Sequence, residues 1–159
     1  MAEKNTTSKR RGPAPHKSSR RRSREFALQG LYQWLLAGTD AVMIAAELAE
    51  NEEFAKCDVA YFRSLLTGAI GSAPQLEAQF APLLDRAVKD LSPVERGILL
   101  LSGYELVHEL EVPYRVVINE GVELAKVFGG TDGHKYVNGV LDKLAARYRE
   151  LEVRAERGG

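Results

Sequence analysis

The sequence contains little of what most enzymes and metalloproteins use for their chemistry. It has one cysteine and three histidines, which leaves no internal disulfide and no cysteine-based zinc motif. It has no run of about 18 apolar residues, so we expect no membrane-spanning helix. The N-terminus is basic but lacks the apolar run of a secretory signal. The single Cys57 fits a reducing compartment, and the expected location is therefore cytoplasmic.

Signatures of catalysis are also absent from the sequence. His16, His108 and His134 are scattered, and His108 is not followed by the second histidine of a zinc-protease helix. The glycine-rich stretch at residues 129–133 lacks the Gly-Lys-Ser/Thr of a phosphate-binding loop, and it follows a predicted helix instead of a strand. We therefore predict that this stretch ends a helix, and that the protein is not an enzyme and needs no metal or cofactor.

The sequence does contain a strong separation of charge. The chain is neutral, with 22 basic and 22 acidic side chains, but residues 1–24 have a net charge of +8 and residues 25–159 a net charge of −8. The last basic residues of the first part are Arg20, Arg21, Arg22 and Arg24, and an apolar helical pattern follows them directly. Guanidinium groups at the edge of a folded surface bind phosphates well, so the pattern predicts a nucleic-acid partner.

The composition of the chain changes near residue 20, from a polar basic arm to a helical domain. Proline, glycine, serine and threonine before Arg20 predict a disordered basic arm over residues 1–19, and a solvated arm without function is the alternative. Apolar residues at helical spacing predict one domain over residues 20–154. The expected fold is all-α, with about seven helices and short connections. The predicted helical stretches are residues 20–37, 41–52, 58–70, 74–80, 83–91, 92 onward, 113–128 and 131 onward.

Several of these helices have recognisable ends. Ser92, Pro93 and Glu95 have the spacing of a capping box, and the apolar helix that they begin is expected to lie in the centre of the core. Gly38 is expected to end the first helix and Asp40 to cap the second.

The segment from Phe128 to Asn138 is a second candidate for contact with nucleic acid. It places Phe128, Lys135 and Tyr136 around the start of a helix, where free amide groups favour anions and aromatic rings can stack on bases. The alternative is that both aromatic side chains belong to the core. Asp132 could accept hydrogen bonds from a base edge or cap its own helix.

The residues resemble the bacterial NusB family of transcription antitermination factors over about residues 20–150. The similar segments are RRSREFALQGLYQW (21–34), YFRSLLTG (61–68), VPYRVVINE (112–120), ELAK (123–126), FG (128–129) and DGHKYVNGVLDK (132–143).

This resemblance implies two small helical bundles joined through a central helix, and a role other than catalysis. It implies binding to the boxA element of nascent ribosomal RNA, as single-stranded RNA, together with the ribosomal protein NusE. It also implies assembly with RNA polymerase and other Nus factors, which suppresses termination and aids ribosomal RNA maturation. The RNA-contact positions that it implies are Arg20, Arg21, Arg22, Arg24, Phe128, Asp132, Lys135 and Tyr136. Glu95 is implied to lie near the NusE surface.

Two other functions remain open at this point. One is the NusB-like module of a ribosomal RNA cytosine methyltransferase, which the missing glycine-rich cofactor motif makes less favoured. The other is a protein-only scaffold whose basic arm is incidental. An RNA-binding function predicts that affinity falls steeply between about 50 and 200 mM salt.

Overall fold

The computed structural model describes residues 17–158, so the predicted arm at residues 1–19 lies almost entirely outside the described residues. Within residues 17–158 the chain forms eight α-helices and no strand, which confirms the all-α fold. The helices are α1 (Ser19–Ala37), α2 (Ala41–Leu48), α3 (Val59–Gly71), α4 (Ala73–Phe80), α5 (Pro93–His108), α6 (Tyr114–Phe128), α7 (Gly133–Tyr148) and α8 (Glu150–Gly158).

Local signals in the sequence fix several helix ends. Gly38 ends α1 in the left-handed conformation, with φ of 69°. The Asp40 carboxylate accepts a hydrogen bond from the Val42 amide at 3.0 Å and begins α2. The Ser92 hydroxyl accepts from the Glu95 amide at 3.1 Å, while the Glu95 carboxylate accepts from the Ser92 amide at 3.3 Å. These predicted ends are confirmed.

Three details of the helix prediction are wrong. The stretch from Leu83 to Leu91 is not a helix, and only short 3-10 segments form at Ala81–Leu83 and Val88–Asp90. Extended backbone at Leu84 and Ala87 interrupts any helix there, while Leu83, Val88 and Leu91 still pack against the core. Helix α2 ends at Leu48 because Asn51 caps a separate 3-10 segment. Helix α8 was not expected as a separate element.

Helix α5 lies at the centre of the fold, as predicted. Every residue from Gly97 to Gly103 is buried, so the helix contacts protein around its circumference. It packs against α1, α3 and α4 from the first half of the chain and against α6 and α7 from the second half. Because α1 and α6 both pack on α5, residues far apart in the sequence come together at their surfaces.

Candidate nucleic-acid interface

The arginine cluster lies in the first turns of an ordered helix. The Ser18 hydroxyl accepts a hydrogen bond from the Arg21 amide at 3.0 Å and caps α1. The buried Ser23 hydroxyl donates to the Asp58 carbonyl at 2.7 Å, and the Asp58 amide donates to the Ser19 carbonyl at 3.2 Å. The start of α1 is therefore held against the start of α3, and the arginines project from a rigid support.

Arg20 is exposed, and its guanidinium group covers the ring of the buried Tyr61. Its guanidinium carbon is 4.0 Å from the centre of the Tyr61 ring, and its Nε is 3.7 Å from the Asp58 carboxylate. A guanidinium that stacks on one face retains outward N–H groups for other partners.

Arg21 and Arg22 also lie at the surface, each beside a carboxylate. Arg21 donates to Glu120 of α6 through Nε at 2.9 Å and Nη2 at 2.7 Å, while 40% of its side chain stays exposed. Arg22 donates to Glu53 at 3.4 Å. With Arg20, they form the exposed part of the predicted cluster.

Arg24 has a different environment from the other three arginines. It is only 4% exposed, and its Nε and Nη2 atoms lie 2.8–3.1 Å from the Glu105 carboxylate. Burial opposes its charge, but the hydrogen bonds and charge of Glu105 raise the pKa of Arg24 above its ordinary value. In this conformation Arg24 fixes α1 to α5, and a direct contact between Arg24 and RNA stays a prediction.

The second predicted segment lies at the junction between α6 and α7. Phe128 is the last residue of α6 and is 41% exposed, so it is not a core residue. Asp132 and Lys135 are exposed, and the Lys135 Nζ is 3.6 Å from an Asp132 carboxylate oxygen. The Asp132 side chain makes no capping hydrogen bond to α7, which leaves its carboxylate accessible to a ligand.

Tyr136 is half-buried, with one ring face covered. The guanidinium carbon of Arg86 lies 4.2 Å from the centre of the Tyr136 ring, and the Asp85 amide donates to the Tyr136 hydroxyl at 3.4 Å. Arg86 therefore occupies a face on which a base could otherwise stack. Sequence reasoning missed Arg86, because it lies 50 positions before Tyr136 in the chain.

The fold places the two candidate segments along the same pair of helices. Arg21 of α1 contacts Glu120 of α6, and eight residues further along each helix Gln29 and Phe128 line one groove of about 450 Å³. Eight residues of α-helix span about 12 Å, which is the approximate separation of the two segments along the helix axes. Arg21 and the exposed Phe128 can thus contact one extended ligand.

Glu95 adjoins this surface. One of its carboxylate oxygens lies 3.4 Å from the position that a Cβ atom on Gly133 would occupy, and the neighbouring Val94 lines the groove that contains Phe128. The predicted contact for a protein partner and the predicted contacts for RNA are therefore next to each other. Glu95 also caps α5, so it contributes to local stability as well.

Sequence reasoning also missed two residues that position the arginines. Tyr61 supports Arg20, and Glu120 holds Arg21. Both occur in helical segments with an ordinary pattern, where a tyrosine reads as a core residue and a glutamate as a surface charge. Among the described residues there is no group of three or more metal-ligating side chains, and no helix long and apolar enough to cross a membrane.

Comparison with known proteins agrees with the geometry. Residues 21–146 match the sequence profile of the NusB family. The chain is 58% identical over 135 residues to the transcription antitermination protein NusB of Thiobacillus denitrificans, covering 85% of this chain and 93% of that protein. It is 55% identical over 157 residues to the same protein of Ralstonia pickettii, covering 99% of this chain and 100% of that protein.

Solved structures with the same fold include one complex. T. maritima NusB aligns with a TM-score of 0.73 and 29% identity, covering 84% of this chain and 94% of the other. A crystal structure of the antitermination factors NusB and NusE in complex with double-stranded RNA aligns with a TM-score of 0.71 and 25% identity, covering 80% and 96%. The chain belongs to the NusB family of transcription antitermination factors, a family of non-enzymatic proteins.

Proposed function

We propose that this protein binds the boxA element of nascent ribosomal RNA leader transcripts together with the ribosomal protein NusE. In this proposal the complex joins RNA polymerase and other Nus factors in the cytoplasm, suppresses termination and aids ribosomal RNA maturation. The observation that supports RNA binding most directly is that Arg21 of α1 contacts Glu120 of α6, while Phe128 lies eight residues, or about 12 Å of helix, beyond Glu120 on the same helix.

Each part of this surface has a separate role in the proposal. Arg20, Arg21 and Arg22 neutralise phosphates, and Lys135 adds a fourth positive group at the start of α7. Phe128 stacks on an unpaired base, which favours single-stranded RNA, because bases inside a duplex offer no free face. The related complex contains double-stranded RNA, so the two forms of RNA need to be compared directly.

The site proposed for NusE is the region around Glu95. The groove beside it is lined by the apolar or aromatic side chains of Leu28, Tyr32, Val94 and Phe128 and by the amides of two glutamines, Gln29 and Gln33. Residues 25–159 have a net charge of −8, which suits a basic ribosomal protein because complementary charge steers association. Since Phe128 also lines the groove, a protein in the groove would touch the RNA.

The first test is binding of a fluorescent boxA RNA and a scrambled RNA, single-stranded and as duplexes, with and without purified NusE. We expect NusE to tighten binding of single-stranded boxA selectively, and we expect affinity to fall between about 50 and 200 mM salt. Equal, weak binding of all RNAs with no effect of NusE would favour the protein-only scaffold.

Variants then localise the contact. Replacing Arg20, Arg21 and Arg22 together by Ala is expected to reduce boxA affinity by about 100-fold or more, since phosphate contacts supply much of the binding free energy. The matched control replaces Arg147, Arg154 and Arg157, which are exposed on α7 and α8, and removes the same charge. An equal loss in both triple variants would show that only net charge matters, and would contradict the proposed site.

A further inference from the structure

The exposed arginine cluster is not an open positive surface. Each of the five basic side chains from Lys17 to Arg24 has a carboxylate oxygen within 4.0 Å. The pairs are Lys17 with Glu25 (2.9 Å), Arg20 with Asp58 (3.7 Å), Arg21 with Glu120 (2.7 Å), Arg22 with Glu53 (3.4 Å) and Arg24 with Glu105 (2.8 Å). A phosphate that approaches this surface meets cations already offset by anions.

Glu120 makes the tightest of the exposed arginine pairs. It accepts from Arg21 through both oxygens, at 2.9 and 2.7 Å, and its side chain is only 14% exposed. The partners of Arg20 and Arg22 are 36% and 53% exposed and make longer contacts. The Glu120 hydrogen bonds raise the pKa of Arg21 although partial burial opposes this. Glu120 therefore holds Arg21 in one orientation.

This pair has two opposite effects on an RNA ligand. A guanidinium has five N–H donors, and Glu120 uses two of them, so Arg21 can still donate to a phosphate without releasing Glu120. The negative charge beside the guanidinium, however, reduces its attraction for a phosphate that lies elsewhere in the vicinity. A phosphate that lies opposite the free N–H groups of Arg21 gains hydrogen bonds. A phosphate that lies elsewhere near Arg21 gains little binding free energy.

We infer that Glu120 is a specificity-determining residue for RNA: it fixes the Arg21 guanidinium and offsets its charge, so that unspecific RNA binds weakly. The inference rests on the proposed RNA-binding function. In this role Glu120 changes the ratio between the affinities for specific and unspecific RNA.

The variant Glu120→Gln tests the inference because it keeps the size and one hydrogen-bond acceptor but removes the charge. We expect scrambled RNA to bind about fivefold more tightly, the effect of removing a nearby repulsive surface charge. BoxA affinity should rise less, so the ratio between the two affinities falls. The slope of log affinity against log salt for scrambled RNA should steepen by about 0.7. This is the change expected when the protein neutralises one further phosphate of a single strand.

The matched control is Glu123→Gln. Glu123 lies one turn further along α6 and pairs with Lys126 at 3.4 Å, and the substitution changes the net charge equally. We expect this variant to bind both RNAs with affinities close to those of the parent protein. Equal changes in the two variants would show an effect of net charge alone and would overturn the inference.

Glu53→Gln provides an independent test in case Glu120→Gln does not fold. Glu53 is 53% exposed and pairs with Arg22 and Lys56, so its replacement should not affect folding. We expect the same direction of change in the affinity ratio, at a smaller size. An unchanged ratio in this variant and in any folded Glu120→Gln protein would overturn the inference.

The outcomes also separate this inference from the proposed function. If the parent protein shows no RNA binding, the proposed function fails. If the parent protein discriminates boxA but Glu120→Gln weakens binding of both RNAs equally, Glu120 only positions Arg21, and the inference alone fails.

Discussion

Arg24 and Glu105 form a buried ion pair at the junction of α1 and α5, with the Arg24 Nη2 2.8 Å from a Glu105 oxygen. The two residues are 4% and 0% exposed, and the Tyr61 hydroxyl donates to the same carboxylate. Burial, followed by the Glu105 charge, raises the pKa of Tyr61 well above its ordinary value, so the hydroxyl stays protonated as a donor. Tyr61 also supports Arg20 at the surface. The buried pair thus positions Arg20 by way of Tyr61.

Replacing Arg24 by Ala is expected to destabilise the fold by about 3–5 kcal/mol, because it leaves the Glu105 carboxylate buried without a cation. Urea denaturation followed by circular dichroism measures this change. Arg22→Ala is the control, and its effect on the free energy of unfolding should be within about 0.5 kcal/mol, since Arg22 makes only a surface pair. If Arg24→Ala kept full stability and lost RNA affinity, Arg24 would be a direct contact instead.

Phe128→Ala is expected to reduce the affinity for single-stranded boxA RNA by about 1–3 kcal/mol, the usual contribution of one aromatic ring stacked on one base. Its thermal stability should change little because the ring is 41% exposed. Fluorescence anisotropy with labelled RNA measures the affinity. Val127→Ala is the control, since the adjacent Val127 is 66% exposed and has no aromatic face. Equal affinities for the two variants would remove Phe128 from the interface.

Local signals in the sequence predicted most of the fold. The capping box at Ser92 and the glycine at Gly38 each depend on only a few neighbouring residues. Each correctly predicted the end of a helix. The stretch from Leu83 to Leu91 was mispredicted because its apolar residues pack on the core from an irregular backbone, which only the tertiary structure shows. Helix α8 has Val153 as its one buried residue, so its periodic signal is weak.

Local signals in the sequence indicate the arginine cluster, but they do not indicate which partners the arginines have, because those partners are distant in the chain. Sequence grouped Arg24 with Arg20, although its buried partner Glu105 lies 81 positions away. One signal was available: Arg24, Leu28 and Leu31 have i, i+4, i+7 spacing, which places Arg24 on the apolar face of α1. The pairing of Arg21 with Glu120 across 99 positions had no local signal.

Two glycines in helices are expected to respond oppositely to replacement by Ala. A Cβ atom added at Gly103 would lie 3.5 Å from Leu144, an ordinary contact, so Gly103→Ala should stabilise the protein by up to about 1 kcal/mol. A Cβ atom added at Gly68 would overlap the Tyr104 ring, so Gly68→Ala should destabilise it by about 1–3 kcal/mol. Denaturation midpoints measure both changes, and a stabilised Gly68→Ala would show that Tyr104 moves freely.

Acid should weaken the attachment of α8 to α6. The Glu156 carboxylate accepts a hydrogen bond from the Tyr114 hydroxyl at 2.5 Å and pairs with Arg115, and these partners lower its pKa. A carboxyl whose pKa is lower in the folded state contributes stability above its ordinary pKa of about 4.5, and this contribution is lost as the pH falls through the folded value. Between about pH 7 and pH 3 the parent protein should therefore lose more stability than Glu156→Gln.

The urea midpoint at each pH measures this difference. Glu150→Gln is the matched control, because Glu150 pairs with Arg154 within α8 and does not join two helices. We expect its pH dependence to follow that of the parent protein. If Glu156→Gln and the parent protein lost stability in parallel as the pH fell, the contact between Glu156 and α6 would contribute nothing to the attachment of α8.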